Sequence, residues 1–263
     1  VIGIATFIVK EAQNLNFAMP VNLIKDKISL TKVTALKDAG IIDYTKTAEY
    51  WFYLGFYYGE AGLYDKAIEA YTYAIAIDPN DADTYNNRGN DYAEKGQYDR
   101  AIEDYNKAIV INPNAADVYY NRGVAYYKKG QYDRAIEDYN KAIALDPNYA
   151  KAYNNRGGAY GRKDQYDRAI EDYNKAIAID LNYAKAYYNR GNAYTKKGQY
   201  DRAIEDYNKA IAIDLNYAEA YNNRGVAYYN KRNMGRAISD FQKACDMGDE
   251  NGCRALKIAL EKR

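Results

Sequence analysis

The sequence predicts an all-α fold: a right-handed α-solenoid of six helix hairpins closed by a C-terminal capping helix, preceded by a short β-like or irregular N-terminal segment. Three observations carry this expectation. One residue pattern recurs at a fixed step of 34, with Gly55, Gly89, Gly123, Gly157, Gly191 and Gly225 forming one series and Ala67, Ala101, Ala135, Ala169, Ala203 and Ala237 another. Within each unit the apolar residues are spaced as on two successive helices. Units close on turn signals such as Asp146-Pro147-Asn148, where proline cannot continue a helix and asparagine tolerates turn geometry. The units predicted are 48–81, 82–115, 116–149, 150–183, 184–217 and 218–251, with 1–47 outside the repeat and 252–263 as the cap.

In chain order, Val1–Val9 is a strand-like run rich in β-branched residues, and 16–22 continues toward a second strand or turn. Residues 29–44 read as a helix leading into the first repeat. Two strands make no stable domain of their own. Val1–Val9 must therefore pack on the array, stay disordered or pair with another copy, and the last option would support a homopolymeric filament.

The unit Ala116–Tyr149 shows how each hairpin is written. Ala116, Tyr119, Gly123, Tyr126 and Tyr127 recur at helical spacing and give a first helix one small or aromatic face, which Gly130 ends. A second helix is predicted from Tyr132 to Leu145, with Ala135, Ile136, Tyr139, Ala142 and Ile143 buried and Asp133, Glu137 and Lys141 outward. Gly123 and Ala135 let the two helices approach closely. One hairpin cannot bury so much aromatic surface, so neighbouring units must stack.

Trp51-x2-Leu54-Gly55-x2-Tyr58, then Ala67-x3-Tyr71, then Pro79 reproduce the tetratricopeptide repeat pattern in order and spacing, and the chain resembles that family over about three quarters of its length. The resemblance implies a non-enzymatic interaction scaffold whose concave groove is lined by positions 2, 5, 6, 9, 12 and 13 of each first helix. At position five stand Phe52, Asn86, Tyr120, Asn154, Tyr188 and Asn222; at position six, Tyr53, Asn87, Asn121, Asn155, Asn189 and Asn223; and Asn90 and Asn192 occupy position nine. The expected contact residues are Asn86, Asn90, Tyr120, Asn121, Asn154, Asn155, Tyr188, Asn189, Asn192 and Asn222. Asparagine offers both donor and acceptor, and tyrosine adds stiff flat area with a polar tip. Such a groove suits a peptide or protein segment, or a glycan, better than a strongly charged ligand. Lys128, Arg162 and Lys196, with Lys151 and Lys185, make the middle repeats more basic than the ends, where Glu49, Glu60, Asp83 and Glu94 sit. That asymmetry hints at a partner with an acidic end.

Position seven departs from the family pattern. Only Leu54 keeps leucine, and Arg88, Arg122, Arg156, Arg190 and Arg224 replace it. A guanidinium so near a helix interface needs a partner, and the recurrent Asp and Glu of the second helices are the nearest candidates.

Cys245 and Cys253 close the array. The residues alone allow two buried thiols. The segment also resembles the cysteine-bearing Sel1-like repeats, which implies a disulfide and an oxidising compartment, so a periplasmic or extracellular location is expected ahead of a cytoplasmic one. Gln13–Val21 resembles the final strand region of trypsin-like peptidases of the HtrA type. That resemblance would make the chain the C-terminal interaction region of a longer serine peptidase, with none of its catalytic residues present here.

Composition excludes several classes. The chain has no histidine, so Ser-His-Asp, Cys-His and histidine-metal arrangements are unavailable, and no cofactor or metal is expected. Glycines fall at packing and turn positions of the repeat and form no phosphate-binding loop. With 37 basic and 36 acidic residues there is no electrostatic footprint for nucleic acid. Val1–Val9 falls short of the about 20 residues a spanning helix needs, so no membrane insertion is expected. Thirty-three tyrosines against five phenylalanines are mostly accounted for by core positions of the repeat.

Overall fold

Small residues at one face and a large ring opposite them drive each unit into a hairpin. A computed structural model describes residues 47–262. The strand expected at Val1–Val9, the stretch 16–22, the helix at 29–44 and the peptidase-like Gln13–Val21 lie outside those residues. Among the described residues the fold is all-α, an α-solenoid of consecutive helix pairs with a C-terminal helix after the last pair. Helices of 13 and 14 residues alternate along the first five repeats, and both helices of the sixth have 13. Contacts divide the chain into two units, meeting between Gly96 and Gln97.

The first unit contains α1 (Ala48–Glu60), α2 (Tyr64–Ile77) and α3 (Ala82–Glu94). Thr47 caps α1, its side chain accepting from the Tyr50 amide at 3.3 Å, which satisfies one of the amides a helix start leaves unpaired. Between α1 and α2 the chain passes through Gly62 at φ 71°, a left-handed turn that glycine adopts without strain. Ala67, Ala70, Tyr71 and Ala74 form the buried stripe of α2.

The second unit holds the rest: α4 (Tyr98–Ile111), α5 (Ala116–Lys128), α6 (Tyr132–Leu145), α7 (Ala150–Arg162), α8 (Tyr166–Ile179), α9 (Ala184–Lys196), α10 (Tyr200–Ile213), α11 (Ala218–Asn230), α12 (Met234–Asp246) and α13 (Glu250–Glu261). The second helix of the Ala116 hairpin spans the predicted Tyr132–Leu145. Close approach within each hairpin is literal. A Cβ added at Gly123 would stand 2.7 Å from Tyr139 Cε1, and one at Gly225 would meet Phe241 at the same distance. The ring of each second helix thus fills the space left by the glycine of the first.

Two turns do without the residue expected there. Asp164 and Arg232 take the left-handed slot that Gly130 and Gly198 fill elsewhere. Leu181 and Leu215 replace the helix-ending proline and are largely exposed, yet both chains still turn, because Asp180 and Asp214 side chains accept from the Asn182 and Asn216 amides.

The arginines of position seven find the partners expected of them and one more. Arg156 Nε and Nη2 donate to the two oxygens of Asp172 on α8, at 2.8 and 2.6 Å, while Nη1 donates to Asn140 Oδ1 on α6 at 2.6 Å. Arg122, Arg190 and Arg224 repeat the arrangement with Asp138 and Asn106, Asp206 and Asn174, and Asp240 and Asn208. Each arginine therefore clamps the second helix of its own hairpin to the second helix of the hairpin before. Burial pushes the Asp172 carboxyl up, and the Arg156 guanidinium pulls it back toward the ionised form. A second series of ion pairs spans the same junctions outside: Lys129 with Asp99, Lys163 with Asp133, Lys197 with Asp167 and Lys231 with Asp201. The aspartates of that series are well exposed, so its pairs are worth little individually.

The capping helix α13 starts at Glu250, within the sixth 34-residue unit. Asp249 caps it, and Cys245 Sγ is bonded to Cys253 Sγ, tying α12 to the first turn of α13. Ala255, Leu256 and Ala259 pack against Phe241 and its neighbours, whereas Leu260 is half exposed.

Candidate interaction surface

In the second unit the first helices α5, α7, α9 and α11 lie side by side and present the positions that the sequence marks as a groove. Their asparagines and tyrosines are joined into ladders. Asn189 Nδ2 on α9 donates to Asn154 Oδ1 on α7 at 2.9 Å, Asn154 Nδ2 donates to Asn155 Oδ1 at 3.1 Å, and Asn155 Nδ2 donates to the Tyr120 hydroxyl on α5 at 3.0 Å. One repeat pair further on, Asn223 Nδ2 donates to the Tyr188 hydroxyl at 3.0 Å and to Asn192 Oδ1 at 2.8 Å, and Tyr207 also donates to Asn192. The alternation at position five, tyrosine then asparagine, is what repeats this network every second hairpin.

Burial separates these residues into two groups. Asn154 is 2% exposed, and Asn222 and Asn86 are also buried, so they support the face from behind. Tyr120, Asn121, Asn155, Tyr188, Asn189 and Asn192 are half-buried and reach the surface, as does Asn90 on α3 of the first unit. Asn86 and Asn90 belong to that first unit and Asn121 sits on α5, outside the ladder bonds described above. Position in the repeat places these residues on one side of the first helices but does not reveal depth within it.

Three tyrosines that the sequence reading passed over complete the surface. Tyr149, Tyr183 and Tyr217 stand at the N-caps of α7, α9 and α11. Tyr149 stacks on Tyr120 and Tyr217 on Tyr188, each with ring centroids 4.9 Å apart. Their signal was available: tyrosine as the last residue of three successive 34-residue units. Burial first, with smaller contributions from neighbouring phenols and carboxylates, pushes the Tyr149 and Tyr183 phenols up to about 12. Both therefore keep their hydroxyl protons at neutral pH and stay donors. The rim carries exposed bases: Lys151 and Lys185 at the starts of α7 and α9, and Lys128, Arg162 and Lys196 in the last turns.

Among the described residues no group of His, Cys, Asp and Glu is placed to hold a metal ion. No helix among them is long and apolar enough to cross a membrane.

This geometry can be set beside known proteins. Models of the tetratricopeptide repeat match residues 48–81, 70–103, 116–149, 138–171 and 218–247, and a TPR repeat model matches 89–130, 162–198 and 191–231. Together they cover residues 48–247 without a gap, and the chain belongs to the tetratricopeptide repeat family. A comparison with curated proteins returns no match. Among solved structures, the chain is similar to MamA protein at 32% identity and TM-score 0.59, over 68% of this chain and 96% of that one. It is similar to YrrB, described as a TPR protein with an unusual peptide-binding site, at 26% identity and TM-score 0.58, over 72% of this chain and 99% of that one. The APC/C hetero-tetramer Cut9-Hcn1 shares the fold at TM-score 0.71 and 22% identity; the match covers 86% of this chain and only 44% of that one. Repeats of this family serve protein–protein interaction, and the chain is a protein-interaction scaffold.

Proposed function

We propose that the second unit binds an extended segment of a partner protein along α5, α7, α9 and α11, clamping its backbone with asparagine amides and seating its side chains on tyrosine rings. The observation that carries this reading is the chain of hydrogen bonds Asn189–Asn154–Asn155–Tyr120. An asparagine side chain offers two donor hydrogens and two acceptor lone pairs. The ladder engages one donor and one acceptor of Asn155, Tyr139 is also hydrogen-bonded to it, and the half-buried side chain still reaches the surface, where a peptide N–H or C=O can meet it. Because the ladder already fixes these amides, binding spends little additional side-chain entropy on them. The peptide-binding site ascribed to YrrB supports the choice of ligand class. The bases in the last turns of α5, α7 and α9 favour a partner with an acidic end near them.

Selection from a displayed library of random 12-residue peptides is expected to yield binders to the wild-type chain that lose at least tenfold in affinity against Asn155→Ala/Asn189→Ala, with helicity unchanged by circular dichroism. Binders that hold both proteins equally would place recognition elsewhere.

A further inference from the structure

The first unit departs from the rest of the array at three neighbouring positions, each time toward negative charge. Position thirteen, the last residue of a first helix, carries Lys128, Arg162 and Lys196 in the second unit but Glu60 on α1 and Glu94 on α3. A carboxylate at a helix C-terminus faces the negative end of the helix dipole and is unfavourable where a base would help. Position ten, a buried alanine at Ala125, Ala159, Ala193 and Ala227, is Asp91 on α3. Asp91 is 7% exposed, and its Oδ2 is buried without a hydrogen-bond partner. It lies behind Gly59 of α1, where an added Cβ would stand 3.1 Å from Asp91 Oδ1. Glu94 on α3 acts on Asp91 electrostatically, and both Asp91 and Glu60 act on the buried Tyr71 of α2. A buried carboxylate with one oxygen unpartnered and a second carboxylate, Glu94, acting on it is a costly arrangement for folding alone. A cation laid against it would remove that cost.

We propose that α1 and α3 of the first unit form a receptor for an organic cation, a lysine or arginine side chain of a partner segment, with Glu60 and Glu94 drawing it in and Asp91 receiving it across the bare backbone of Gly59. No first-helix residue of α1 is basic, and the one base of α3, Arg88, is turned to Thr72 on α2. The occupant is an alkylammonium or guanidinium rather than a metal, since these carboxylates do not converge as a metal-ligand set. This site is chemically opposite to the basic rim of the second unit and stands independently of the peptide reading given for that unit.

The test uses the full chain and a dye-labelled, end-capped nonapeptide carrying three lysines among glycine and serine, with its glutamate counterpart as control. Fluorescence anisotropy at pH 8 and 0.15 M salt is expected to show saturable binding of the lysine peptide, at least tenfold weaker for Asp91→Ala and several-fold weaker for the surface variant Glu60→Gln. Acidification to pH 5.5 is expected to weaken binding to the wild type, because the protonated Asp91 offers no charge. Equal affinity for Asp91→Ala and wild type, no saturation, or displacement of the peptide by millimolar calcium would each overturn the proposal. Alanine stands at position ten in the four repeats that follow, so Asp91→Ala keeps the fold, which circular dichroism verifies.

Discussion

Arg156→Ala is expected to destabilise the array by about 3 kcal/mol at neutral pH, read as the shift in urea midpoint at constant slope. The loss has two parts. Asp172, 4% exposed, is left with its charge uncompensated, and Asn140 loses the donor that ties α6 to the hairpin after it. The penalty should shrink in acid, since burial already pushes the Asp172 carboxyl up and removal of Arg156 pushes it further, so protonation at low pH relieves the unpaired charge. The chain itself contains the compensated alternative. In the first hairpin the same two positions are Leu54 and Ala70, both buried. Arg156→Leu with Asp172→Ala is therefore expected to recover stability to within about 1 kcal/mol of wild type, because a matched apolar pair can replace a buried ion pair at little net cost. A double variant as weak as Arg156→Ala would mean that the bond to Asn140 carries the coupling between hairpins.

Asp91→Ala is expected to act in the opposite direction, stabilising the first unit by about 1–3 kcal/mol at pH 8. Burial, and then Glu94, pushes the Asp91 carboxyl up to about 7 from an ordinary value of 3.8. The folded state thus holds a proton that the unfolded chain releases above about pH 4. Stability contributed at this position is present in acid and is lost as pH rises from about 4 to about 7, then stays level. The gain from Asp91→Ala should accordingly be small at pH 4.5 and largest above pH 7. Denaturation curves of both proteins at the two pH values check this, and a gain independent of pH would show that Asp91 is ionised throughout and solvated in a way its burial does not suggest. If the residue receives a cation, the stability forgone at this position is the cost of keeping a receptor ready.

The hairpins were legible because their determinants are local and repeated: glycine against a ring, alanine at the close approach, a turn of Asp-x-Asn. Leu181 and Leu215 show which part of that turn matters, since the aspartate bond to the asparagine amide persists where proline is gone. The arginine–aspartate pairing was legible too, because an arginine in a leucine position demands a partner within reach. Its second bond, to Asn140 and the equivalent asparagines, was not, because that contact crosses to another repeat and depends on how hairpins stack. Depth on the first-helix face was hidden for the same reason. Asn154 and Asn155 are adjacent and chemically identical, yet one is buried by the next hairpin and the other reaches the surface. Tyr149, Tyr183 and Tyr217 were readable from the period but fall in a turn, where aromatic residues carry no helical signal. Asp91 is visible only against the later repeats, as a carboxylate where the four that follow carry alanine.

Amide hydrogen exchange on the chain with and without a library-selected peptide tests the central claim most directly. If the partner lies along the first helices, protection should rise in α5, α7, α9 and α11 and stay unchanged in α6, α8 and α10. Protection confined to the second helices, or to the exposed outer side of the capping helix α13, would contradict the account.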